Sequence, residues 1–194
     1  LVGSFLAFKV LKRIDKGGGG NSDSPPIVSD YTSYLNVPYD SISGVDSNLL
    51  SLDVYVPKDS LTSHPVVIYV HGGGWIKGDK ANKASYEYKA PYFTQKGYVF
   101  VSVNYRLSPA VIYPTHNQDV ARAIKFLYDN AQTYNIDVSK VVIMGHSAGG
   151  TIVASVSTDE KYLEDVGLGL SSLKCTIVLD AAKYDVLAAV KQGR

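Results

Sequence analysis

The chain has 194 residues, 45% of them hydrophobic, and 19 Lys+Arg against 18 Asp+Glu leave a formal net charge of +1. That is enough apolar material for one domain with a sizeable core. The near-balance of charge, with no basic run interleaved with aromatics, argues against nucleic acid as a partner. The single cysteine, Cys175, has no internal disulfide partner and stands in an apolar run, so it is expected to be a small core residue. No Cys/His cluster has the spacing of a metal site, and neither a metal nor another cofactor is expected.

Residues 1–16 open at Leu1 with the apolar stretch LVGSFLAF, followed by Lys9, Lys12 and Arg13. Eight residues cannot cross a bilayer, which needs about 20. Without an initiator methionine, the segment reads as the remnant of a signal peptide or membrane anchor, with a frayed amphipathic helix as the alternative. Residues 17–30 contain GGGGNSDSPP, a flexible linker. Anchor, spacer and folded domain (residues 31–194) suit an exported or membrane-anchored protein; without the anchor, a cytoplasmic one. No feature sets an oligomeric state.

Tyr34–Tyr39 and Leu49–Val56 read as an antiparallel pair joined through Gly44, the second with Leu50, Leu52, Val54 and Val56 on one face. Pro65–Val70 is a continuous β-branched run, as in a parallel strand buried on both faces. Ser85–Lys96 is expected to be a helix stopped by Gly97 at its C′ position. Tyr98–Val103 is another strand. Thr115 is expected to cap a helix reaching about Tyr134, with Gln118 placed for a capping box and Val120, Ala123, Ile124 and Leu127 on one face. Val141–Met144 forms a buried strand, a helix follows Gly149, and Cys175–Leu179 is the last strand. Strands and helices alternating at this spacing indicate an α/β domain with a mostly parallel sheet and flanking helices.

Two motifs carry chemistry. Gly145-His146-Ser147-Ala148-Gly149 is a G-x-S-x-G placed between a strand and a helix, the context of a nucleophile elbow. The glycines permit the tight turn, and Ser147 is presented where a helix N-terminus favours developing negative charge. The other motif, His71-Gly72-Gly73-Gly74-Trp75, ends a strand. It fits neither G-x-x-x-x-G-K-[ST] nor G-x-G-x-x-G before a helix, so a phosphate cradle is disfavoured. Backbone N–H groups converging on one oxygen, with no side chain in the way, make an oxyanion hole, and HGGG loops partner nucleophile elbows in that role.

HGGGW at 71–75, NYRLSP at 104–109 and GHSAGG at 145–150 closely resemble the α/β-hydrolase superfamily. Within it they are most similar to hormone-sensitive-lipase-like carboxylesterases and the feruloyl-esterase-like and kynurenine-formamidase-like branches. The resemblance runs from about Tyr34 to the C-terminus. It implies an α/β-hydrolase fold with Ser147 as the catalytic nucleophile and the backbone N–H groups of Gly73, Gly74 and Ala148 as the oxyanion hole. His71, with Gly72, would support the glycine loop rather than act as the base. The reaction implied is hydrolysis of a small-molecule carboxylic ester through an acyl-enzyme. An amide, arylformamide or peptide bond would use the same groups, and a non-catalytic binding protein on the same fold is the alternative from another class.

The remaining polar residues have plainer expectations. His146 should point away from the Ser147 hydroxyl. His64 and His116 should be solvated. Asp119 should pair with Arg106, and Trp75 should be a pocket wall or a lid on the glycine loop. The family order is Ser, then Asp or Glu, then His, and no histidine follows His146. Asp180 and Asp185 stand too early to be the acid. The chain is therefore expected to be an esterase fragment cut at both ends, its fold incomplete after the sixth strand. It would lack general base and acid, and alone would be nearly inactive.

Overall fold

A computed structural model describes residues 30–61 and 63–181. The expected anchor, nearly all of the linker, and Asp185 lie outside the described residues. Among those described, no helix is long and apolar enough to cross a membrane.

Six strands form one mixed sheet: β1 (Tyr31–Pro38), β2 (Ser51–Pro57), β3 (His64–Val70), β4 (Val99–Val103), β5 (Ile136–His146) and β6 (Cys175–Leu179). Their spatial order is β1-β2-β4-β3-β5-β6. β2 pairs antiparallel with both β1 and β4, whereas β3/β4, β3/β5 and β5/β6 are parallel. Side chains two apart share a face. Val66, Ile68 and Val70 thus enter one core with Val99, Val101, Val103, Val141 and Ile143, while Val67 and Tyr69 enter another with Tyr55, Phe100 and Met144.

The first core is closed by α2 (Thr115–Asp129) and α3 (Ala148–Thr158) through Val120, Ala123, Ile124, Leu127, Ile152, Val153 and Val156, with Tyr162 and Leu163 of α4 (Lys161–Glu164). The second is much smaller and is covered by α1 (Ala90–Gln95) through Ala90 and Phe93. α1 is preceded by a π turn, Ala84–Lys89, in which the Ala90 N–H reaches back five residues to Ser85 O. Pro91 follows at once and has no N–H of its own to give. The stop is the expected one: Gly97 sits at φ 77°, with Gly97 N–H on Thr94 O and Tyr98 N–H on Phe93 O, a Schellman closure.

Several sequence expectations are corrected. Leu49 and Leu50 belong to a 3-10 turn, Ser47–Leu50, capped by Asp46, so β2 begins only at Ser51, and it is buried on both faces rather than one. Thr115 makes no cap; Pro114 holds that position and its carbonyl accepts from Asn117 and Gln118 N–H. α2 ends at Asp129 rather than near Tyr134, and both the backbone N–H and the side-chain amide of Asn130 bond Phe126 O there. Cys175 is exposed, not core, because β6 is the edge of the sheet among the described residues.

Candidate active site

Parallel strands β3, β5 and β6 end together, and the loops that leave them meet there. Ser147 follows β5 directly and precedes α3, with φ 54° and ψ −120°. A non-glycine residue in such a region carries strain of order 1–3 kcal/mol and persists only where its surroundings hold it. Here the Ser147 N–H is bonded to Leu179 O of β6 at 2.9 Å, and Ser147 O accepts from Thr151 N–H at 3.1 Å. The flanking glycines allow the approach. A Cβ on Gly145 would lie 2.2 Å from Gly149 O, and one on Gly149 would lie 2.2 Å from Val70 O. The elbow is therefore packed backbone against backbone.

The glycine loop leaves β3 alongside. A Cβ on Gly72 would stand 2.8 Å from His146 O and 3.0 Å from Ser147 Cβ, so loop and elbow are in contact. Gly73 and Gly74 have φ of 124° and 64°, conformations glycine adopts without strain. Gly73 O accepts from Ile76 and Lys77 N–H, both at 3.2 Å, while no backbone bond from the N–H of Gly73 or Gly74 forms among the described residues. Ala148 is the first residue of α3, and its N–H is one of those a helix leaves without an internal acceptor.

His71 is buried and stacks on Tyr105 at 4.6 Å, and Tyr105 Oη donates to His71 O at 3.0 Å. Nδ1 lies 2.8 Å from Gly72 O. A carbonyl only accepts, so Nδ1 carries the hydrogen. Nε2 is buried without a hydrogen-bond partner. Burial pushes the His71 pKa below the ordinary histidine value, against the opposing pull of the Gly72 carbonyl, Asp79 and Asn104. Trp75 is not among the residues that line the adjoining cavity; half-buried, it packs on the larger core, its carbonyl accepting from Ser108 N–H. Beside the elbow opens a cavity of about 440 Å³, lined by Tyr69, His71, Gly72, Lys89, His146 and Leu179 among others.

Residues 52–182 match the BD-FAE family. The chain belongs to that family of α/β-hydrolases. Arylacetamide deacetylase of Bos taurus is 31% identical over 138 residues, covering 69% of this chain and 34% of its own length. Neutral cholesterol ester hydrolase 1 of Pongo abelii is 33% identical over 136 residues, covering 69% and 32%. A solved truncated carbohydrate esterase from gut microbiota superposes with a TM-score of 0.60 at 34% identity, covering 68% of this chain and 45% of its own. The BD-FAE chain thus spans about a third of those curated relatives and under half of that solved chain. The α/β-hydrolase fold and esterase kinship expected from the three motifs are both found.

The other ionisable residues of this BD-FAE chain take varied places. Asp119 is fully buried and accepts from Arg106 N–H at 3.0 Å, Nε at 2.9 Å and Nη2 at 2.7 Å, so the expected pairing forms, and Arg122 joins it. His64 and His116 are buried, not solvated. The His64 ring reaches Gly97 O at 3.1 Å and Asp59 at 3.3 Å, and His116 Nε2 lies 3.3 Å from Ser108 Oγ. No hydrogen bond joins any of the four histidines to Ser147 among the described residues. Asp180 follows β6 at φ 46°, exposed. Nor is any group of three or more His, Cys, Asp or Glu among the described residues placed to hold a metal. Sequence reasoning missed the cluster of Lys80, Asp79 and Asn104 behind the glycine loop. Asn104 stands inside NYRLSP, the one signal that pointed toward it.

Proposed function

We propose that this chain is the nucleophile-bearing part of a serine carboxylesterase. Ser147 Oγ attacks the ester carbonyl carbon as a base takes its proton. The carbonyl oxygen, now an anion, is held by the N–H groups of Gly73, Gly74 and Ala148. Collapse expels the alcohol and leaves an acyl group on Ser147, which water then releases as the acid. The observation that carries this reading is the strained Ser147 elbow in contact with Gly72 of the glycine loop. Its place between strand and helix, and the esterase relatives, support it.

The base and the acid are proposed to come from outside these 194 residues. His64, His71 and His116 are committed to other contacts, and His146 makes no bond to the hydroxyl. Serine without a base is a poor nucleophile, and removing the histidine of another serine hydrolase costs about a millionfold. The 194-residue chain is therefore expected to hydrolyse an aryl ester no faster than its Ser147→Ala variant.

In the full protein that carries this chain, a fluorophosphonate probe is expected to label Ser147, and Ser147→Ala to abolish labelling and ester turnover together. Labelling that survives the substitution overturns the assignment. An amide substrate is the second reading, favoured by the relative named arylacetamide deacetylase. Matched aryl ester and anilide substrates separate the two.

A further inference from the structure

The glycine loop ends at Asp79-Lys80, and Lys80 is only 1% exposed. An ammonium is expensive to bury unless each donor finds an acceptor. Nζ donates to Asn36 Oδ1 at 2.7 Å and Asn48 Oδ1 at 3.0 Å, and the carboxylate of Asp53, itself 2% exposed, neutralises it as an ion pair at 3.4 Å. These come from β1, from the 3-10 turn before β2, and from β2. Asn36 reaches inward because the β1/β2 register shifts between Tyr34 and Val37, with Asn36 at φ 55° and its own N–H on Asp53 Oδ1 at 2.8 Å. A bulge of this kind re-aims a side chain.

The backbone at the same point is tied as firmly. Lys80 N–H donates to Asn104 Oδ1 at 2.6 Å, and Lys80 O accepts from Ser102 Oγ at 2.8 Å. Asp79 Oδ2 takes the side-chain amides of Asn48 at 2.9 Å and Asn104 at 3.2 Å. The loop is thus held at its front by His71 and at its rear by this cluster. An apolar side chain would fill the same space at lower cost. What the ammonium adds is direction.

We propose that Lys80 is a positioning residue for the reaction: with Asn36, Asn48 and Asp53 it fixes the rear of the glycine loop so that the N–H groups of Gly73 and Gly74 stay aimed at the acyl oxygen. The proposal rests on reading that loop as the oxyanion hole. The experiment is Lys80→Met in the full protein, followed by amide hydrogen exchange and steady-state kinetics on an aryl ester. Exchange at 72–78 is expected to quicken about tenfold while the strands keep their protection. Loss of an oxyanion donor costs roughly 100- to 1,000-fold in kcat, so a loosened loop is expected to lose about 10- to 100-fold, with KM changed less than about threefold. Lys80→Met leaves Asp53 unpaired, so the double variant Lys80→Met, Asp53→Leu is run beside it with the same expectation. Unchanged exchange and kcat, protection lost evenly across all strands, or failure of both variants to fold each overturn the proposal. Faster loop exchange with full turnover overturns the oxyanion reading instead, and with it any part for Lys80 in the reaction.

Discussion

At Gly72 a single methyl group separates an open site from a blocked one. The Cβ of Gly72→Ala would press on His146 O and Ser147 Cβ, displacing the serine while leaving both cores untouched. The expected result in the full protein is a drop in kcat of at least about 100-fold, the scale of a lost oxyanion contact, with thermal unfolding nearly unchanged. His71 and His116 set a different dependence. Burial lowers both pKa values, so the folded state favours their neutral forms. Stability is then complete above the unfolded value of about 6.5 and is lost as pH falls through it toward the folded values. For His71 burial outweighs the opposing contacts of Gly72 O, Asp79 and Asn104, so the neutral ring is the folded form. The melting temperature is expected to fall between pH 7 and pH 5, and His116→Gln to flatten part of that slope.

Between elements, the segment after β4 is bound to α2 through one carboxylate. Asp119 takes three hydrogen bonds from Arg106 and another from Arg122 while wholly buried. Asp119→Ala leaves the Arg106 guanidinium without its anion, while Arg122 keeps Asp40, and a loss of roughly 3–5 kcal/mol is expected in a denaturant titration. A loss below about 1 kcal/mol would show that Arg106 rehydrates freely. The elbow was legible in the sequence because it lies inside a compact motif, and this pairing because Arg106 lies in one and Asp119 follows it as in the resembled family. The strands were legible for another reason: runs such as Val66–Val70 and Cys175–Leu179 repeat one physical demand along a single element. Lys80 was not. Buried lysines look like solvated ones until the bulge at Asn36 and the turn at Asn48 are brought round it, and neither leaves a periodic trace. His64 and His116 escaped for the same reason, as isolated polar residues at the starts of β3 and α2 whose burial depends on neighbours distant in sequence. Cys175 failed in reverse, since apolar company along a strand says nothing of whether that strand has a neighbour.

Among the described residues the sheet is covered unevenly. One face of the sheet is packed by α2, α3 and α4, the other by α1 with its preceding turn, leaving Val142, Ile177 and Leu179 partly buried toward the β6 edge. An apolar edge strand is a template for another chain. The isolated 194-residue chain is expected to self-associate in light scattering at micromolar concentration, and Ile177→Lys to reduce that association without loss of β-sheet circular dichroism. Retained association would place the sticky surface elsewhere. The edge also reaches into the chemistry. Ser147 is held in its strained geometry by a bond from its own amide to Leu179 O, the last carbonyl of β6. Under the proposed role of Ser147, loss of that bond at a frayed margin would release the strained geometry and so couple reactivity to the integrity of the edge. On that reading, a neighbour that clamped β6 would act as a rheostat on Ser147 without ever touching the substrate.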